Sequence, residues 1–371
     1  MKPSHRCWAE VSLDALRGNL AWLRHRVGPQ VKIMTVVKAD AYGHGDVRVS
    51  RAALDAGATW LGVALVEEGL HLRDAGIDAP VLVFSELPPG SEKEALAADL
   101  TPTLYTEAGL HALAEVAGAV GRSVAVHIKI DTGMHRVGLW PPGAAPAFAR
   151  KVEAEGLTVE GLWTHFARSE ESAEVTRAQL RRLVEAADAV RAAGVEPRYL
   201  HAANSAGVLL HPESHLDMVR TGGALYGIDP GGGMGPARGL RPVMTLRSAV
   251  TVVKRLSAGE PISYGGCYVL AREATMATVP IGYEDGYDRT LSNRADVLIG
   301  GKRRRLAGTV TMDHIMVDCG DDEVAPGDDV VLIGSQGDDR IGVEEIADIA
   351  GTIGDEIVTG ISDRVPREFV G

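Results

Sequence analysis

Between residues 31 and 220, short apolar runs rich in Val and Ile alternate with amphipathic stretches of helical period. Such alternation predicts βα units around a parallel sheet, because strands buried on both faces read as nearly unbroken apolar runs. Eight runs qualify, at 31–37, 59–64, 80–84, 101–104, 124–130, 158–164, 198–201 and 217–220. Eight is the number of strands that closes a (β/α) barrel. The connecting stretch 172–193 shows the helical counterpart, with Val175, Leu180, Leu183, Val184, Ala187 and Val190 on one stripe and Gly194 as a stop.

Past Gly239 the texture changes to β-rich runs at 250–253, 276–281, 297–299, 309–317 and 330–333, separated by Gly-Gly, Gly-Asp and Pro-Gly turns. The expected fold class is therefore α/β: an N-terminal (β/α)8 TIM barrel over 1–239, then a C-terminal mainly-β domain over 240–371. The boundary is expected in the Gly- and Pro-rich stretch 229–242, with the first ten or so residues available to pair with the C-terminal domain.

Length and composition agree with two globular domains. The chain has 371 residues, 45% hydrophobic and 24% charged, with 44 Gly and 18 Pro scattered without period. Three cysteines, Cys7, Cys267 and Cys319, are an odd number without CxxC spacing, so a disulfide framework and a zinc knuckle are not expected. The N-terminus lacks a signal-like apolar core, and no run reaches the roughly 18 apolar residues of a membrane span. A cytoplasmic location is the expectation. With 38 Lys and Arg against 50 Asp and Glu, the net charge of −12 disfavours nucleic acid and anionic membranes as partners. The basic run Lys302 to Arg305 sits after a Gly-Gly turn and reads as a solvated hairpin.

In a barrel of this kind the loops after the strands carry the chemistry. Lys38 ends the first run in TVVKADAYGHG; enclosed there, a lysine has a lowered pKa and can form a Schiff base, although a snorkelling lysine fits the same place. The fifth run carries Lys129 and leads to Asp131 and Arg136 in HIKIDTGMHRVG, and the sixth ends at His165 in GLWTHFA. The last two give His201, Asn204 and Ser205 in HAANSAG and Arg220, Gly222 and Gly223 in MVRTGGALYG. Small residues and free amides in these loops suit a phosphate, and an N-cap with a plain turn is the ordinary alternative. No His or carboxylate spacing for a metal accompanies them, and the acids of YEDGYD read as part of a turn. Aromatics make up only 5% of the chain, so the tyrosines of ISYGGCY and IGYEDGY, placed in Gly-flanked loops of the β region, stand out from core packing.

Taken in order, VVKADAYGHG, THFA, HAANSAG, VRTGGALYG, SYG, IGYEDGY, MD and RVPR resemble the alanine racemase family of pyridoxal-phosphate (PLP) enzymes along essentially the whole chain. The resemblance implies that Lys38 binds PLP as a Schiff base and serves as the base on the face of the D-substrate. Tyr264, from the other subunit of a homodimer, serves the opposite face. It implies further that Arg220 faces the pyridine nitrogen with His201 behind it, that Tyr42, Ser205, Gly222 and Gly223 match the phosphate-binding positions, and that Asn204 and His165 belong with the cofactor-binding residues. Arg136 and the backbone of Met312, again from the partner, match the substrate-carboxylate positions, and Lys129 matches a lysine often carbamylated in this family. The implied activity is interconversion of L- and D-alanine, supplying D-alanine for peptidoglycan.

One position departs from the family pattern. Before RVPR the family commonly has a phosphate-contacting tyrosine, and this chain has Asp355. An aspartate beside a phosphate is repelled unless it points away, is protonated or lies behind a cation, so a roomier, more polar pocket that also accepts serine is an alternative expectation. Among other readings, a decarboxylase of the same barrel type pairs the pyridine nitrogen with a carboxylate, which Arg220 argues against. A non-catalytic PLP-binding protein is typically a lone barrel.

Overall fold

The computed structural model describes residues 6–230 and 239–371, so residues 231–238 of the expected boundary stretch lie outside the described residues. The chain divides into two compact units, one of Leu16–Leu240, the other of Met1–Ala15 together with Arg241–Gly371.

After β1 (Cys7–Ser12), the first of these units is built on eight strands: β2 (Lys32–Val36), β3 (Trp60–Val63), β4 (Val81–Val83), β5 (Thr103–Leu104), β6 (Ala125–Lys129), β7 (Thr158–Trp163), β8 (Tyr199–His201) and β9 (Met218–Thr221). They form one parallel sheet in the order β4-β3-β2-β9-β8-β7-β6-β5. A single parallel bridge, Leu82 to Thr101, joins its ends, so the barrel is nearly closed. Helices follow the strands as a βα pattern requires. In the longest, Ala173–Ala192, the Ser172 side chain accepts a hydrogen bond from the Val175 amide at the N-terminus. Met34, Trp60, Leu82, Tyr199 and Met218 form a buried apolar cluster with Phe84 against it. Burying each such side chain contributes about 1.5–3 kcal/mol.

The second unit is mainly β: β10 (Met244–Ala249), β11 (Val252–Leu256), β12 (Pro261–Ile262), β13 (Tyr268–Val269), β14 (Ala274–Val279), β15 (Asp296–Ile299), β16 (Lys302–Leu306), β17 (Ile315–Gly320), β18 (Asp329–Gln336), β19 (Asp339–Ile341) and β20 (Arg367–Val370). Its large sheet runs β11-β14-β17-β16-β15-β18-β10-β1-β20. The N-terminal strand β1 is therefore an interior member, antiparallel to β10 from Cys7–Ser248 to Val11–Met244 and parallel to β20. Two short helices, Val343–Ala350 and Gly354–Thr359, precede the last strand.

The strand expected over 309–317 begins only at Ile315. Upstream, Thr311 closes a tight turn: its hydroxyl accepts from the His314 amide at 3.1 Å and donates to the His314 carbonyl at 2.8 Å. Such a local side-chain bond competes with ladder pairing, so residues 309–314 form a loop. Strand β10, ahead of the run expected at 250–253, is an addition that the pattern did not single out. The basic run on β16 pairs with β15 in a hairpin, and its charges meet acids: Lys302 with Asp322, Arg303 with Asp339 and Glu345.

Candidate active site

Lys38 leaves the end of β2 into an unusual turn. Ala39, Asp40, Ala41 and Tyr42 all adopt left-handed backbone angles, with φ of 53°, 52°, 53° and 57°. Three local partners hold them there. The Glu68 carboxylate accepts from the amides of Ala39 and Ala64, each at 2.7 Å, and of Leu65 at 3.1 Å. Asp40 accepts from the Asp46 amide at 2.8 Å, and the His44 ring lies 2.8 Å from the Tyr42 carbonyl. The Lys38 ammonium lies 6.0 Å from the Tyr42 ring centroid. Behind it Tyr226, whose hydroxyl donates to the Val36 carbonyl, sits 5.0 Å from Tyr42, centroid to centroid.

The opposite wall comes from β8 and β9. The Asn204 side chain accepts from the Gly207 amide at 2.9 Å and caps the helix Ser205–Leu210. The buried Ser205 hydroxyl accepts from the amides of Gly222 at 3.2 Å and Ala224 at 3.1 Å, tying the two loops together. Gly222 allows a close approach: a Cβ there would come within 2.5 Å of the Tyr42 hydroxyl. Tyr42, Ser205, Gly222 and, next to it, Gly223 thus cluster around one backbone lining.

Arg220 is buried on β9 and crosses the barrel mouth. Its guanidinium donates to the carbonyls of Thr164 at 2.7 Å and Ala202 at 2.9 Å, to His201 Nδ1 at 3.0 Å and, more distantly, to His165 Nδ1 at 3.4 Å. Burial pushes its pKa down to about 9, so it stays cationic at neutral pH. Trp163 forms a floor, stacked on His201 at 5.6 Å, 4.9 Å from the Arg220 guanidinium and 4.3 Å from the Lys129 ammonium. Lys129 is pushed down to about 7, chiefly by burial and then by Arg136 and Arg220. His165 is held well below the ordinary histidine value by burial and then by the charges of Arg220, Arg136, Lys129 and Lys38. His201 is likewise held low, by burial first. Asp131 fixes the approach to the exposed Arg136, its carboxylate accepting from the amides of Gly133, Met134 and His135 at 2.9–3.1 Å. Lys38, Lys129, Arg136, His165 and Arg220 therefore share one locus, where a cationic field and low dielectric favour an anion.

Tyr264 and Met312 stand on the β unit, 74% and 50% exposed. Tyr264 is presented by a pinned loop: Thr309 donates to the Tyr264 carbonyl at 3.1 Å, and Ser263 donates to the Thr309 carbonyl at 2.8 Å. The Met312 carbonyl accepts from the Glu284 amide at 3.2 Å, linking its turn to the IGYEDGY loop. There Asp285 is fully buried and takes the Gly282 amide and the Arg6 guanidinium. Asp355 lies in the first turn of the helix Gly354–Thr359. Among the described residues no cluster of three or more His, Cys, Asp or Glu is arranged to hold a metal, and no helix is long and apolar enough to cross a membrane.

Comparison with known proteins gives the lineage. The family described as alanine racemase, N-terminal domain, matches residues 11–230, and its C-terminal counterpart matches 243–369. The chain belongs to the alanine racemase family. It is 47% identical to the alanine racemase of Symbiobacterium thermophilum over 100% of this chain and 98% of that one. It is 42% identical to that of Carboxydothermus hydrogenoformans, over 98% and 99% of the two chains. A crystal structure of alanine racemase from D-cycloserine-producing Streptomyces lavendulae superposes with a TM-score of 0.93 at 41% identity, covering 100% and 98%. Family membership makes this chain an isomerase, a racemase by class. Two residues of the barrel interior, His127 and Glu160, escaped the sequence reading although His127 shares a strand face with Lys129.

Proposed function

We propose that the protein interconverts L-alanine and D-alanine with PLP bound in the barrel, working as a cytoplasmic homodimer that supplies D-alanine for peptidoglycan. The observation that carries this reading is the convergence of Lys38, Arg136 and Arg220, with Lys129 and the neutral His165 among them, beside the Ser205–Gly222 backbone lining. The residues fit the cofactor. Tyr42, Ser205, Gly222 and Gly223 would hold its phosphate, where the Gly222 backbone comes so near the Tyr42 hydroxyl that a Cβ would strike it, with Asn204 capping the helix beside them. The Lys38 amine would bind it covalently, and Arg220, with His201 behind, would face its pyridine nitrogen. Bound there, PLP supplies an electron sink for the charge left when the substrate α-proton departs.

The chain's own groups then divide the work. Lys38 moves the α-proton on the face of the D-enantiomer, and Tyr264 of a second copy moves it on the opposite face. Arg136 and the backbone of Met312 from that copy hold the substrate carboxylate. Arg220 donates hydrogen bonds without surrendering its proton, which limits charge spread and restrains side reactions. Lys129, near pKa 7, has an uncharged amine fraction able to add carbon dioxide; the resulting carbamate would offer Arg136 a negative partner.

Incubation with L-alanine and, separately, L-serine, followed by chiral chromatography, tests the reading. D-alanine is the expected product, and D-serine beside it would favour the broader alanine/serine alternative raised by Asp355. No D-product from either amino acid would overturn the racemase reading.

A further inference from the structure

Beneath Arg220 a chain of polar side chains runs down into the buried barrel interior. His201 Nδ1 lies 3.0 Å from the Arg220 guanidinium, and His201 Nε2 lies 2.9 Å from His127 Nδ1. His127 Nε2 has no hydrogen-bond partner within ordinary distance, and the nearest carboxylate oxygen, on Glu160, is 3.6 Å away. Both imidazoles are completely buried, whereas the Glu160 side chain is 20% exposed.

We propose that His127 and Glu160 are positioning residues for Arg220, forming with His201 a one-directional hydrogen-bond chain that ends on a carboxylate and fixes the guanidinium.

The direction follows from the donors. A guanidinium has hydrogens and no acceptor, so His201 Nδ1 must present its lone pair. A neutral His201 then carries its proton on Nε2 and donates it to His127 Nδ1. His127 in turn carries its proton on Nε2, aimed at Glu160. Burial is the main cause holding both rings neutral, and a charged ring would put an N–H against an N–H. The outermost partner thus decides the tautomer of the innermost ring, as the outer partners of ligating histidines do.

Two backbone features serve this arrangement. The pairing of β6 with β7 slips between Val126 and His127, so that Val126 faces Val159 while His127 faces Gly161. Glu160 is the extra residue, and a bulge re-aims its side chain toward the strand partner. Gly161 leaves room for the ring: a Cβ there would approach His127 Nδ1 to 2.5 Å. Trp60 and Tyr199 close the remaining sides at 5.4 and 6.3 Å between centroids.

The functional consequence rests on the racemase reading, because it concerns what Arg220 faces. The test therefore has two readouts on the PLP-loaded protein. Ring-nitrogen NMR of ¹⁵N-histidine-labelled enzyme should show His127 and His201 as neutral Nε2–H tautomers. A charged ring or an Nδ1–H tautomer at either position overturns the chain whatever the protein catalyses. Kinetically, Glu160→Gln should lower kcat about tenfold in both directions with little change in KM, the lower range for loss of such an outer partner. It should also shift the His127 and His201 ring resonances. His127→Gln, whose amide can accept and donate in the same order, should retain more activity than His127→Leu. If the unsubstituted protein racemises alanine and Glu160→Gln keeps both its kcat and its ring resonances, this inference fails while the racemase reading stands. Absence of racemisation with the tautomers as described sinks the reading and leaves the chain intact.

Discussion

Lys129 is the residue whose surroundings most change its chemistry. Its pKa falls from 10.5 to about 7, chiefly through burial and then through Arg136 and Arg220. Between about pH 7 and 10.5 the unfolded chain therefore binds one more proton at this position than the native state, so folding stability rises with pH there. Below about pH 7 both forms are protonated and the contribution is flat. The expected slope is at most about 1.4 kcal/mol per pH unit. Denaturant midpoints in carbon-dioxide-free buffer should show it, and Lys129→Met should flatten it. An unaltered slope in that variant would place the titrating group elsewhere. Lys129 was legible in the sequence because a lysine in an apolar run is conspicuous. His127, two positions earlier on the same face, was not, because a lone buried histidine is ordinary and its meaning comes from Glu160, His201 and Arg220 on three other strands.

At the scale of elements, the barrel was readable because strands buried on both faces leave continuous apolar runs, and each of the eight runs holds a strand. Local pattern could not reveal register, so the slip that re-aims Glu160 was invisible; the pairing of the first residues with the C-terminal unit was expected, but not the partners β10 and β20 that β1 takes there. Least readable was the left-handed turn after Lys38. Four successive residues with a Cβ, at about 1–2 kcal/mol each, store several kcal/mol, a conformation no propensity would select. It persists because the carboxylates of Glu68 and Asp40 accept the amides of its first residue and of the helix that follows. Ala39 is exposed at φ 53°, and glycine takes that conformation without penalty. Ala39→Gly should therefore raise stability by about 1 kcal/mol, read from the urea midpoint, while loosening the presentation of Lys38 and Tyr42 and lowering kcat. A fall in stability would mean that the turn is not strained at this position.

For the whole molecule, the charge distribution and the exposed tyrosine point the same way. The chain is acidic, at −12, yet the barrel gathers Lys38, Lys129, Arg136 and Arg220 in one place, so the basic groups there run against the overall charge. The barrel unit carries Lys38, one base of the proposed reaction, and the β unit presents Tyr264, the other, on a pinned loop with 74% of its surface exposed. In a two-fold dimer whose sites each combine Lys38 of one copy with Tyr264 of the other, a Lys38→Ala chain and a Tyr264→Phe chain complement each other. One site of the hybrid carries both substitutions and the other carries neither. Statistical mixing of the two inactive variants, by co-refolding or subunit exchange, should then restore about a quarter of the parental sites. The restored activity should show the parent's KM, because those sites are chemically unaltered. If both bases instead belonged to one chain, every site in every mixture would lack one of them, and mixing would restore nothing.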